Sequence, residues 1–268
     1  MNLNATSIDA LQTSAETLLR WNDDGKRGAT VCERDFTVER RGNAIPGVVW
    51  QPLRATGAQP LVLMGHGGSG HKRSAKLERM AEIFTTGYGW WAAAIDGPVH
   101  GARGPATDAA DSAYRQMWTR ANVVQDMIDD WAAVLDALTL RDDIDATKIG
   151  YWGVSMGTMF GLPYVASDAR IRAAVLGKAG MRGSSVQRSG IDRHFKAYAA
   201  RVTVPVLFNI QWDDERFDRD GQVELYESLS STDKRLHAYP GQHSDDGPEA
   251  LEASAAFLHR YLEDAIKL

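Results

Sequence analysis

Ile149-Gly150-Tyr151-Trp152-Gly153-Val154-Ser155-Met156-Gly157 is the stretch that decides how the chain is read. A short apolar run reaches a glycine, and the pattern Gly-x-Ser-x-Gly then opens a segment, Met156 to Ser167, that suits a helix. A strand turning into a helix this sharply lifts the central hydroxyl off the sheet, and its neighbours must be small because the backbones crowd. The turn also sets Ser155 at a helix N-terminus, where free amide donors favour developing negative charge. In a glycine-rich chain the pentapeptide by itself is a weak signal, and its place between strand and helix gives it weight. The bland alternative is a strand-ending glycine turn with an incidental serine.

Working outward, short and mainly apolar runs recur at Leu61 to Met64, Trp91 to Ile95, Ile149 to Trp152, Ala173 to Leu176 and Val204 to Ile210, and a more mixed one at Arg235 to Tyr239. Such runs suit strands buried on both faces. Helical patterns separate them at Ser74 to Thr85, Ala113 to Leu138, Met156 to Ser167, Ile191 to Ala200 and Gln222 to Leu229, and a last one covers Glu249 to Ile266. The alternation predicts an α/β fold, a mainly parallel sheet with helices on both sides. Ligands then bind beyond the carboxyl ends of the strands. Upstream, Thr30 to Trp50 reads as an antiparallel pair around an Arg40 to Asn43 turn. Further upstream still, Ile8, Leu11, Ala15, Leu18 and Leu19 share one face of a helix expected over Ile8 to Trp21. The expected organisation is a single domain over residues 1–268, with 1–25 as a helical extension packed on it. Gly177 to Thr203 has room for one helix, so no large lid is expected there.

Composition narrows the function classes. Apolar and charged fractions of 44% and 24% are those of an ordinary globular chain. The net charge of -5 comes without a basic stripe, which argues against nucleic acid as a partner. No stretch approaches the ~20 apolar residues of a membrane helix, and the start lacks a secretory pattern, so a cytoplasmic location without membrane contact is expected. A single cysteine, Cys32, leaves no internal disulfide and no thiolate metal site, and is read as a core residue. Trp90, Trp91, Trp131 and Trp152 are read as core as well.

With Gly153 to Gly157 at a strand-to-helix turn, the layout from about Phe36 to Ile266 resembles the α/β-hydrolase superfamily, in its serine esterase and dienelactone-hydrolase-like branch. The resemblance implies an eight-stranded type of sheet. It also implies the chain order nucleophile, acid, histidine, each on a loop after a strand. A serine hydroxyl needs an imidazole to take its proton, and the imidazole needs a carboxylate to fix its tautomer. Of seven histidines, His243 sits in a loop, Pro240 to Ser244, between the last expected strand and the last helix. His194, His237 and His259 fall inside elements and are read structurally. The run Gln211-Trp212-Asp213-Asp214-Glu215-Arg216-Phe217 resembles the superfamily's acid loop, with Asp214 in the best register and Asp213 as its rival. Many relatives carry glycine where Trp212 stands. Asp218 and Asp220 suit the solvated start of the next helix.

His66-Gly67-Gly68-Ser69-Gly70 resembles the superfamily's HG loop, with the backbone amides of Gly68 and Met156 as candidate oxyanion donors. The alternative, a phosphate-cradling loop, lacks the GxxxxGK[ST] spacing despite nearby Lys72 and Arg73. His66 itself is read as a structural hydrogen bonder. The loop Asp96 to Gly104 borders the expected site, either touching substrate or forming a turn pinned by Asp96 and Arg103. Tyr114, Met117 and Trp118 at helical spacing are usual for core packing, and are also the candidates for a pocket wall.

The expected function is hydrolysis of a small or medium carboxylic ester, thioester or lactone through an acyl-enzyme on Ser155. A serine nucleophile disfavours aspartate-dependent dehalogenation and cysteine-dependent dienelactone hydrolysis. A peptidase or amidase of the same fold is the enzymatic alternative, and a non-catalytic binding module is the alternative of another class. No cofactor or metal is expected. The expected partner is a small-molecule ester, and a homo-oligomer stays open.

Overall fold

Apolar runs without polar alternation need cover on both faces of a sheet, and the sequence order of the elements determines what supplies it. The computed structural model describes residues 19–245 and 247–263. Ten strands occur among them: β1 (Leu19–Trp21), β2 (Lys26–Arg27), β3 (Val31–Arg40), β4 (Asn43–Pro52), β5 (Gln59–Gly65), β6 (Trp91–Ile95), β7 (Ile144–Gly153), β8 (Ile171–Gly177), β9 (Val206–Gln211) and β10 (Lys234–Tyr239). They form one sheet in the order β1-β3-β4-β6-β5-β7-β8-β9-β10, with β2 beside β3. The pairs from β6 through β10 are parallel, and β1 to β4 add the antiparallel edge.

The helices are α1 (Ala75–Glu82), α2 (Ser112–Met117), α3 (Val123–Leu138), α4 (Met156–Val165), α5 (Ser184–Ser189), α6 (Asp192–Tyr198), α7 (Arg219–Ser228) and α8 (Pro248–Leu262). Strand side chains alternate between two cores. On β7, Tyr151 joins the core under α3 and α4, where Trp131 and Tyr164 lie. The next residue, Trp152, joins the opposite core with Leu77 of α1 and Leu258 of α8. All four tryptophans read as core are buried, and so is Cys32.

The structure corrects several expectations. Leu19, Arg20 and Trp21 pair with Val38, Thr37 and Phe36 as a strand, where the last turn of a helix was expected. Trp21 meets Phe36 edge-on, which gives the segment a tertiary partner that outweighs its helical spacing. Residues 8–18, where the remainder of that helix was expected, lie outside the described residues, as do 264–266; α8 ends at Leu262. Strands β3 to β10 make up the expected eight-stranded type of sheet, and the short β1 and β2 bring it to ten strands among the described residues.

The single helix expected over Ala113 to Leu138 is two. Thr119 donates its hydroxyl to the Gln116 carbonyl at 2.8 Å, its amide bonds three residues back, and Asn122 begins α3. Side chains that compete for backbone groups in this way favour helix ends. Trp118, at the break, stacks on Phe160 of α4 at 4.9 Å. Between β8 and β9 there are two short helices, α5 and α6, where one was expected. Gly190 separates them with φ 64°, a conformation glycine adopts cheaply. The first helix, α1, passes into a π-helical turn, Ile83–Gly87, instead of running on to Thr85.

One contact fixes where β7 hands over to α4. A Cβ on Gly157 would overlap the carbonyl oxygen of Gly65, at the end of the neighbouring strand β5. The obstructing oxygen and its carbonyl carbon are backbone and cannot rotate away. Gly157→Ala is therefore expected to cost about 3 kcal/mol, read as a lowered urea midpoint at unchanged slope. An unmoved midpoint would show that α4 can back away from β5.

Candidate active site

Ser155 has φ 58° and ψ -123°. A non-glycine residue there costs on the order of 1–3 kcal/mol and persists only where its surroundings over-determine it. Here the Ser155 amide donates to the Gly177 carbonyl at 3.0 Å, and the Met159 amide donates back to the Ser155 carbonyl at 2.9 Å. Thr158 Oγ1 accepts the Gly177 amide at 2.7 Å and lies 2.8 Å from the carbonyls of Gly153 and Gly177. Tyr151 donates its hydroxyl to the Gly157 carbonyl at 2.7 Å. The strained turn is thus held by β8 on one side and by a buried tyrosine below.

The loop after β10 brings His243 to this turn. Its Nε2 lies 2.8 Å from Ser155 Oγ, and its Nδ1 lies 2.8 Å from Asp214 Oδ2. The ring is 6% exposed and the Asp214 carboxylate is fully buried. The other carboxylate oxygen, Oδ1, accepts the amides of Arg216 at 2.8 Å and Phe217 at 2.9 Å. Every side of that carboxylate therefore faces a donor. Asp213 points elsewhere: it is 65% exposed, and its nearest cation is Arg219 at 3.7 Å. The geometry brings Asp214, and not Asp213, to the imidazole. Trp212, which departs from the glycine of the superfamily's acid loop, is exposed and lies under the Arg219 guanidinium at 4.0 Å.

Two residues assigned no role from sequence, one of them already placed in the register of the acid loop, anchor the histidine loop. Glu215 Oε2 accepts the His243 amide at 2.9 Å. Burial would raise the Glu215 carboxyl, but the His243 amide, the amide of Glu215 itself and the nearby Arg216 charge act together against it and hold that carboxyl below the ordinary carboxylate range. Buried Lys178 donates Nζ to the carbonyls of His243 at 2.9 Å and Asp245 at 3.0 Å. Glu215 follows the acid directly, so its sequence position was a usable signal. Lys178 follows Gly177 at the end of β8, and nothing local marks it.

The glycine loop after β5 forms the third side. His66 Nε2 accepts the Gly97 amide at 2.8 Å, so its proton sits on Nδ1, which meets the Gly67 carbonyl at 2.8 Å. Burial lowers the His66 pKa to about 4. His66 thus stands in a structural, neutral place. Asp96 and Arg103 both tie the turn, for Asp96 Oδ2 accepts the Ala102 amide at 2.9 Å and Arg103 donates to the Asp96 carbonyl at 3.2 Å. Lys72 Nζ takes the same carboxylate at 2.7 Å, while Arg103 also donates to Asp130. Burial pushes the Asp96 carboxyl up, but Lys72 and the Ala102 amide hold it below the ordinary range.

A cavity of about 190 Å³ opens over these groups, lined among others by Gly68, Leu77, Trp152, Ser155, Arg216 and His243. Tyr114, Met117 and Trp118 are absent from its lining. Met117 and Trp118 are buried in the core, and Tyr114 packs against Gly68 from behind. Among the described residues no cluster of potential metal ligands occurs, and no helix is long and apolar enough to cross a membrane.

A cold-adapted esterase from an Arctic intertidal metagenomic library, solved as a PEG-bound complex, is 36% identical, with a TM-score of 0.81 over 91% of this chain and 100% of its own. The chain belongs to the α/β-hydrolase superfamily. Two further superfamily structures share the fold at lower identity. An acetyl xylan esterase from a Paenibacillus species is 20% identical, with a TM-score of 0.68 over 98% of this chain and 96% of its own. A monoacylglycerol lipase from Paleococcus ferrophilus is 17% identical, with a TM-score of 0.58 over 76% and 96%. No family model matches the chain, and neither does any curated protein.

The His66 environment carries a stability prediction. Its folded pKa lies below the ordinary value of 6.5, so the unfolded chain binds the proton more readily. The stability it contributes is complete above pH 6.5 and is lost as pH falls toward 4. Across that window the wild type should lose on the order of 3 kcal/mol more than His66→Asn, in urea melts at stepped pH. Equal pH slopes would refute the neutral assignment.

Proposed function

We propose that the chain is a serine hydrolase that cleaves small or medium carboxylic esters, thioesters or lactones through an acyl-enzyme on Ser155. The observation that carries this reading is His243, bridging Ser155 Oγ and Asp214 at 2.8 Å on each side. In this reading the Ser155 hydroxyl attacks the substrate carbonyl while His243 Nε2 takes its proton. Asp214 stabilises the imidazolium and, with both of its oxygens already engaged, keeps the ring from turning. The proton then passes to the departing alcohol, and water repeats the sequence on the acyl-enzyme.

Negative charge on the carbonyl oxygen needs donors placed in advance. The Met156 amide, in the first turn of α4, and the Gly68 amide are the candidates. Neither has a hydrogen-bond partner among the described residues. Each is expected to be worth roughly 3 kcal/mol in the barrier. The Gly67 carbonyl is tied to His66, and a trans peptide points its N–H the opposite way, which supports the role for Gly68. The cavity is smaller than the ~300 Å³ at which drug-sized pockets begin, and this supports a compact substrate. The 36% identical relative, itself an esterase, supports the ester class.

A fluorophosphonate probe should label wild type stoichiometrically and leave Ser155→Ala unlabelled. Ser155→Ala and His243→Ala should each lower kcat on p-nitrophenyl acetate by about 10⁶, and the double variant little further. Asp214→Asn should cost about 10⁴, whereas Asp213→Asn should stay within about threefold of wild type. Absent labelling of folded wild type, or equal effects at 213 and 214, would refute the assignment.

A further inference from the structure

We infer that His100 is a positioning residue for the oxyanion loop, holding the Gly68 carbonyl so that the Gly68 amide stays aimed at the substrate oxygen. The inference rests on the acyl-transfer reading above. His100 Nε2 lies 3.0 Å from the Gly68 carbonyl oxygen, and Nδ1 lies 2.8 Å from that of Pro98. The ring is fully buried. It belongs to neither Gly67 nor Gly68's own loop, yet it meets the peptide unit that follows Gly68.

Glycine at 68 has no Cβ to limit its backbone, so the direction of its amide must be set from outside. Two histidines do this together. His66 takes the carbonyl of the 67–68 peptide at 2.8 Å, and His100 takes that of the 68–69 peptide. Both peptide planes flanking the Gly68 Cα are thereby fixed. The two rings lie 5.1 Å apart, edge to face, and Tyr114 meets His100 on another side at 5.7 Å. A shift of one imidazole is therefore opposed by the other and by the tyrosine.

The loop that carries His100 is built at a cost that this role explains. Val99 has φ 63°, a conformation in which a β-branched residue is strained. Gly101 has φ 54°, and a Cβ there would overlap the Asp96 carboxylate. That carboxylate is itself held by Lys72 Nζ and by the amides of Lys72 and Ala102. The strained and glycine-dependent residues immediately flank His100. A singly protonated imidazole can donate to only one of its two carbonyls, and the assignment requires that Nε2 carry a proton.

The test uses side chains that mimic one ring nitrogen each. The amide nitrogen of glutamine reaches the place of Nε2, and that of asparagine the place of Nδ1. On p-nitrophenyl acetate, His100→Asn should lower kcat by about tenfold or more at unchanged KM, and His100→Gln should recover to within about threefold. The inhibition constant of a trifluoromethyl ketone, whose adduct carries the oxyanion, should rise by the same factor as kcat/KM falls. His100→Met, which fills space without donating, should behave as His100→Asn and serves if that variant does not fold. Equal activity of the Gln variant and the donor-free variant, or a loss confined to KM or to Tm, would overturn the assignment. Wild type that neither turns over nor binds the ketone would overturn the hydrolase reading along with it.

Discussion

The backbone of Ser155 is in a conformation that its own side chain disfavours, and much of the surrounding architecture follows from keeping it there. The turn requires one glycine on each side of the serine, Gly153 and Gly157, and close contact between Gly157 and Gly65 on the adjacent strand. It requires a partner for the Ser155 amide, which Gly177 at the end of β8 provides. Because β5, β7 and β8 are neighbours in a parallel sheet, their carboxyl ends lie at one edge, where these groups can meet. Tyr151 and Thr158, both buried, close the remaining backbone hydrogen bonds below the turn. Local strain of this size is tolerable only on such a rigid support.

The groups that meet Ser155 are anchored through main chain as much as through side chains. Asp214 faces His243 because two amides of its own loop take its second oxygen. His243 faces Ser155 because Glu215 takes its amide and Lys178 its carbonyl. On the opposite side, His66 and His100 take successive carbonyls of the glycine loop. Each loop is flexible by composition and is fixed by contacts from elements distant in sequence. This explains how three loops can hold distances near 2.8 Å by hydrogen bonds between protein groups.

The parallel strands were legible because burial on both faces leaves an unbroken apolar run, as Trp91–Ile95 shows. The sharp turn at Ser155 was legible for a local reason too, since a strand, two glycines and a helix sit within a few residues of it. The choice between Asp213 and Asp214 was not, because both precede the same helix and only the pairing of Asp214 with amides downstream separates them. The break at Trp118 and the strand at Leu19–Trp21 depend on packing against Phe160 and Phe36, partners far away in the chain. Lys178 and His100 were silent for the same reason: their partners are backbone carbonyls, which every residue has. Tyr114, Met117 and Trp118 show the converse error, where helical spacing marked a core face and not a pocket wall.

The account depends on a covalent acyl group resting on one hydroxyl. Wild type mixed with p-nitrophenyl acetate and quenched in acid within the first turnover should show an intact mass raised by one acetyl group. Peptide mapping should place that group on Ser155. An acetyl group found on any other side chain, or rapid turnover with no adduct at any quench time, would contradict the account.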